Sequence, residues 1–355
     1  MKILYLSCHS VLEYDELSLL TEINDAVPDV PLGIEVFSMG AYSNPTQSGD
    51  YKRSVIEKGK FYPELFSVAM QCDNDNLHPE LVDWCDVVLM MHNSAIPGQR
   101  EQQRWLVRNW KLLKEKGKKV VWRSIGQSTP ACEAELTRYK AEGLKILRYS
   151  PIEESIPNYA GSDGMIRFSK DEDEFSGWTG ENRRVITLAQ SFKKRGEHLG
   201  YSVFEKATED FPRRVYGTEN ADLGEMNGGD ISYSELKKNL RESRVFFYFG
   251  TQPAPYTLSL IEAMMTGIPV VAAGDVIHNT ISAYNWKHYE VPDIISNGVN
   301  GFVANTIREA KDYINLLLTD DIAARRISEA GRKTAIDLFG KRQRIREWAD
   351  FLRRL

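Results

Sequence analysis

The sequence predicts an α/β protein made of two Rossmann-like halves. Short β-rich runs alternate with helical patterns along most of the chain, the arrangement that gives parallel sheets covered by helices on both faces. The alternation stops once, in a stretch rich in Pro, Gly, Ser and acidic residues, and then starts again. At 355 residues the chain also exceeds what one hydrophobic core is expected to serve.

In chain order, strands are expected at KILYLS (2–7), IEVFSM (34–39), DVVLMMH (86–92), KKVVWRS (118–124) and LKILRYS (144–150). Between the third and fourth, REQQRWLVRNWKLLKEKG (100–117) has helical periodicity and a closing glycine. These elements make a first domain over 1–155. The pattern dissolves from 151 onward, and 156–182 reads as a linker. The second domain, 183–337, opens with strand RRVITLAQ (183–190), a helix over 197–209 and strand RRVYG (213–217). It continues with helix SYSELKKNLRES (232–243), strand VFFYFG (245–250), a helix from Thr257 to Thr266 with Gly267 as its C′ residue, and strand IPVVAA (268–273). Residues 340–355 form an amphipathic helix with no strand after it, so 338–355 stands as a closing segment.

Composition narrows the function classes. With 42% hydrophobic and 27% charged residues the chain reads as an ordinary soluble globular protein. A formal charge of −5 and a pI near 5.8 argue against a dedicated nucleic-acid binder, although a local basic patch can still hold an anion. The four cysteines are far apart with no CxxC pair, which fits buried thiols in a reducing cytosol and argues against zinc. No apolar run approaches a membrane span, and the start is too quickly polar for a signal peptide, so a cytoplasmic location is expected.

One stretch stands out: PYTLSLIEAMMTGIPVVAAG (255–274) is nearly apolar but carries Glu262. Leu258, Ile261 and Met265 form a helical stripe that Leu260 and Met264 widen. A carboxylate in such company is costly unless it accepts from donors, such as the hydroxyls of a ribose. The bland alternatives are a narrow solvated edge or a pairing with a structural Arg. Thr257 is placed as an N-cap, so the amides at Thr257 and Leu258 can meet an anion at the helix start.

With YEVPDIISNGVNGFV (289–303), this stretch resembles the C-terminal signature of retaining glycosyltransferases of the GT-B fold, the large family that includes sucrose, mannosyl and glycogen synthases. The resemblance covers 183 to the end. It implies two Rossmann-like domains facing across a cleft, a nucleotide-sugar donor such as a UDP- or GDP-sugar held by the second domain, no cofactor, and a Trp348 helix crossing back onto the first domain. Glu262 takes the place of the glutamate that binds the donor ribose. Upstream, LAQSFKKRG (188–196) matches the family's phosphate loop in length, with Gln190 and Arg195 standing for its Arg and Lys, and Lys193 and Lys194 beside them. Gly217, in VYGTEN (215–220), falls where the family's loop packs on the base, and Tyr256 replaces part of its Gly-rich turn. The chain departs from the family at Ala254, where the first glutamate of the pair would touch the sugar, and at Ile125, where a histidine is usual.

In the first domain, His9 and Arg123 are the candidates for catalytic contacts at strand mouths, with Glu13, Asp15, Glu16 and His92 behind them. Retaining enzymes of this fold are thought to let the leaving diphosphate assist same-face attack, which asks the protein for electrostatics and positioning rather than paired carboxylates. No DxD pair ends a strand in the second half, and no essential metal is expected. The acceptor is not readable: glycan, lipid, protein, small metabolite and modified nucleobase all stay open. Arg104, Arg108 and Lys111 form a basic face on the 100–116 helix that suits either a solvated surface or a weak membrane or polyanion contact. The rival readings are a non-catalytic nucleotide- or glycan-binding protein and a nucleotide-sugar epimerase.

Overall fold

The computed structural model describes residues 1–7, 10–27, 32–39, 62–69, 71–72, 76–91 and 105–355. Strand β1 (Lys2–Ser7) buries Ile3 through Leu6, and all five residues of β3 (Val87–Met91) are buried. Such unbroken apolar runs fit strands covered on both faces, which is where parallel sheets occur. With β2 (Glu35–Ser38), β4 (Lys119–Arg123), β5 (Lys145–Arg148) and β6 (Gly164–Met165) they form a parallel sheet in the order β2-β1-β3-β4-β5-β6 among the described residues.

The second sheet contains β7 (Asn182–Leu188), β8 (Arg213–Tyr216), β9 (Asn227–Gly229), β10 (Ser243–Tyr248), β11 (Val270–Ala273) and β12 (Phe302–Ala304). It too is parallel, in the order β12-β11-β10-β7-β8-β9. Strand β10 ends at Tyr248, two residues earlier than expected, and Gly250 turns the chain at φ +87°. The helix Leu258–Thr266 closes as the sequence predicts, with Gly267 in the left-handed region (φ 95°) donating to Ala263 and Met264 carbonyls.

Backbone contacts divide the chain into two units, Met1–Ser169 with Lys341–Leu355, and Lys170–Gly340. The expected linker, 156–182, is therefore built into both. Gly164 pairs with Leu147 of β5, while Ile166 and Phe168 are buried in the first unit. Phe175 is fully buried in the second, where Trp178 Nε1 donates to the Ser243 carbonyl at 2.8 Å. Apolar side chains within an acidic, Gly-rich stretch explain the difference. The closing helix, Lys341–Arg353, packs in the first unit with Trp348 buried and Lys341 paired to Glu22 at 2.5 Å.

Helix Trp105–Glu115 sends Leu106, Trp110 and Leu113 into the first core and leaves Arg108 and Lys111 exposed. The start of the expected helix, including Arg104, lies outside the described residues.

Candidate functional site

In the second unit β7 and β10 are neighbours, yet the chain leaves β7 toward β8 on one side and β10 toward β11 on the other. The crevice at their carboxyl ends is thus the topological switch point, the usual ligand position in a sheet of this kind. A small depression opens there. Its walls are Thr187, Leu188 and Ala189 leaving β7 and Tyr248 to Thr251 leaving β10; Phe192, Leu199 and Phe204 make an apolar floor, and Thr257 and Ser259 close the mouth.

Thr257 has the extended backbone of an N-cap (φ −122°, ψ 167°), but its side chain does not cap the helix. Its hydroxyl lies 3.2 Å from Tyr248 Oη and 2.9 Å from Ser259 Oγ, and its N–H donates to Tyr248 Oη at 2.9 Å. Burial pushes the Tyr248 phenol up to about 12, against the pull of these bonds to Thr257, so it stays protonated. No side chain caps the helix, which leaves its N-terminal amides and the positive end of its dipole facing the mouth.

Beside the mouth, the loops after β7 and β8 are stitched together. Asn220, 2% exposed, accepts from the Phe192 N–H at 2.9 Å and donates to the carbonyls of Ala189 (2.7 Å) and Gly217 (3.0 Å). Ser191 donates its N–H to Thr218 and its hydroxyl to Glu219. Gly217 is required here: at φ +140°, a Cβ would stand 2.3 Å from the Ala189 carbonyl oxygen.

This framework presents Lys193, Lys194 and Arg195 on the short helix Phe192–Arg195, all exposed and without an ion-pair partner among the described residues. Arg195 as a residue is exposed, yet local burial of its guanidinium lowers its pKa below the ordinary value. His198 is lowered too, first by burial and then by the Arg195 charge. Cations held without counter-charges beside an uncapped helix start can accept a polyanion. Gln190 is exposed in the same loop.

The remaining predicted donor residues are placed differently. Leu258 is half-buried at the helix start. Tyr256 is 2% exposed and packs on Phe339 with ring centroids 5.2 Å apart, so it does not line the depression. Glu262 is 5% exposed and its Oε1 pairs with Lys170 Nζ at 2.8 Å. The sequence reading allowed a structural Arg as partner; the partner is instead a lysine, from the expected linker.

The first unit requires a correction. Arg123, expected to hold phosphate or acceptor at a strand mouth, is 0% exposed. Its Nε and Nη2 donate to Glu16 Oε1 at 3.0 and 2.8 Å, and Nη1 donates to the Arg148 carbonyl at 2.7 Å. The guanidinium also lies over Phe168 (4.8 Å) and Trp348 (5.6 Å). It neutralises a buried carboxylate and has no surface to offer a substrate. Glu16 is consumed by the same pair, with burial raising its pKa against the Arg123 charge, and Glu13 accepts from the Ser38 hydroxyl. His9 and His92 lie outside the described residues.

Sequence reasoning missed Lys170, Tyr248, Ser259 and Asn220. Tyr248 is indistinguishable by pattern from the core aromatics of VFFYFG, and Lys170 sits among acids with no periodicity. Asn220 alone carried a signal, a turn-forming residue closing VYGTEN.

No protein-family model and no curated protein matches the chain. Among solved structures, Anabaena HepE in complex with UDP-glucose matches at 15% identity and a TM-score of 0.67 over 100% of both chains. Sucrose-phosphate synthase from Thermosynechococcus elongatus matches at 12% identity and 0.62, covering 100% of this chain and 98% of its own. A glycosyltransferase from Rickettsia africae matches at 14% and 0.62, covering 99% and 98%. The fold is GT-B, with two parallel sheets of six strands each among the described residues and flanking helices.

Proposed function

We propose that this protein is a nucleotide-sugar-dependent, hexosyltransferase-like glycosyltransferase acting with retention, whose donor is held by the second unit. The reading is carried by two features at the carboxyl ends of β7 and β10: an uncapped helix start at the mouth of the switch-point depression, and three cations without an ion-pair partner among the described residues on the loop that leaves β7. Arg195 and Lys194 meet the diphosphate with the amide of Leu258, beside Thr257 at the mouth, the stitched loop at Gly217 flanks the base, and Glu262 reaches the ribose. Structures of similar fold carry UDP or UDP-glucose, which supports a UDP-sugar as donor. Charge developing on the leaving diphosphate is then met by fixed cations and backbone dipoles, which lowers the barrier without a protein nucleophile. We expect no cofactor and no essential metal. The acceptor is a glycan, lipid, protein, small metabolite or modified nucleobase, and we place the reaction in the cytoplasm. No helix among the described residues is long and apolar enough to cross a membrane.

The burial of Arg123, together with Ala254 in place of a carboxylate, favours one second reading, a non-catalytic binder of the same fold. Slow release of UDP from a UDP-sugar in the absence of acceptor separates the two. A transferase leaks to water and its leak falls in Arg195→Ala; a protein that binds UDP-sugars and releases nothing is the binder, and an isomerised nucleotide-sugar would point to the epimerase.

A further inference from the structure

Glu262 lies on the same helix face as Ser259 at the mouth, three residues earlier, and helical side chains lean toward the N-terminus. Its side chain therefore leans toward the helix start that borders the mouth, although Glu262 does not itself line the depression. One oxygen, Oε1, is held by Lys170 Nζ at 2.8 Å. The other makes no hydrogen bond among the described residues, and the side chain keeps 6% of its surface open.

Lys170 is itself firmly held. Its ammonium lies 5.3 Å from the Phe175 ring and 5.8 Å from Tyr233, two rings packed edge to face. Its backbone N–H donates to the Phe339 carbonyl at 3.1 Å and it bridges Gly340. The segment that follows is pinned by Arg332, which donates to the carbonyls of Glu172, Phe175 and Met265. A buried ammonium fixed by its backbone and by two aromatic faces fixes the carboxylate it touches.

We infer that Lys170 is a positioning residue, which orients Glu262 so that its free oxygen accepts a ribose hydroxyl of the nucleotide. The inference rests on the donor-binding reading above and assigns a role within it to a residue of the connecting stretch. Lys170 does not touch the ligand; it sets the angle and charge of the group that does.

The test is calorimetric binding of UDP and 2′-deoxy-UDP to the whole chain. The wild type should prefer UDP by about tenfold, the worth of one hydrogen bond to a charged acceptor. In Lys170→Met the preference should fall to about unity through weaker UDP binding, with 2′-deoxy-UDP nearly unchanged, and Lys170→Arg should restore most of it. A merely structural lysine would lower the unfolding temperature and leave the preference intact, which overturns the inference. If Lys170→Met does not fold, Glu262→Gln, which keeps the shape of the side chain, must lose the preference, and its retention is equally fatal. A wild type that binds UDP without preference refutes this inference alone. A wild type that binds no nucleotide refutes the donor-binding reading and this inference with it.

Discussion

Removing Glu262 should damage the second unit before it damages any chemistry. The pair with Lys170 spans 2.8 Å with side chains 1% and 6% exposed, so neither charge is well solvated. At that distance the gross attraction is about 6 kcal/mol at an effective dielectric near 20. Desolvation of both groups offsets most of it, so the pair adds little net stability. Breaking it is a different matter, because Glu262→Ala removes the carboxylate 2.8 Å from an ammonium that stays buried against Phe175 and Tyr233. That costs about 3–5 kcal/mol. For a unit of this size it corresponds to a fall in unfolding temperature of roughly 6–20 °C. Differential scanning calorimetry of Glu262→Ala, Lys170→Met and the double variant closes the cycle. Both single variants should be strongly destabilised, and the double variant should recover part of the loss because the two charges of the pair leave together. Additive losses would refute the reasoning, as would a Glu262→Ala protein that unfolds within about 1 °C of the wild type.

Three further outcomes follow from the geometry. Arg195→Ala should weaken UDP by about tenfold and leave uridine unchanged if it meets the diphosphate as proposed; equal losses for both ligands, measured by calorimetry, would remove it from the phosphate site. Gly217→Ala should cost about 3 kcal/mol in chemical denaturation, because the added Cβ would meet the Ala189 carbonyl at 2.3 Å in a left-handed backbone, and a neutral result would mean that the two loops separate freely. His278, 1% exposed and stacked between Phe249 and Tyr289, is lowered to about 3 by burial and then by His288. Its folded pKa lies below the ordinary 6.5, so the unfolded chain takes up the proton first: stability is whole above about pH 6.5 and is lost as pH falls toward 3, by about 2 kcal/mol at pH 5. His278→Phe should flatten that slope in thermal unfolding between pH 7 and 5, and an unchanged slope would assign the loss elsewhere.

Much of the architecture was legible because it rests on local signals. Unbroken apolar runs at Ile3–Leu6, Val87–Met91 and Val270–Ala273 have one stable use, as strands covered on both faces. Gly267 and the Ser232–Glu235 capping box punctuate helices by chemistry that involves only neighbours. The local structure of 188–196 was legible for the same reason, since a strand, a turn and a basic helix are all nearby in sequence. What failed depends on distance along the chain. Arg123 looked out of place after an apolar strand because its partner, Glu16, comes from the first helix, and no periodicity announces that pairing. Glu262 posed the mirror problem, with its cation in a stretch that reads as linker. In both cases composition showed a charge in an apolar setting, and only the fold shows which charge answers it.

The central claim, that the switch-point depression between β7 and β10 holds the nucleotide diphosphate of a sugar donor, is tested most directly by hydrogen exchange with and without saturating UDP. New amide protection is predicted in three segments only, 189–196, 217–220 and 250–259, and at a UDP concentration near the wild-type Kd that protection should largely disappear in Arg195→Ala. Protection that appears elsewhere in the second unit, or none at all with UDP bound, would contradict it.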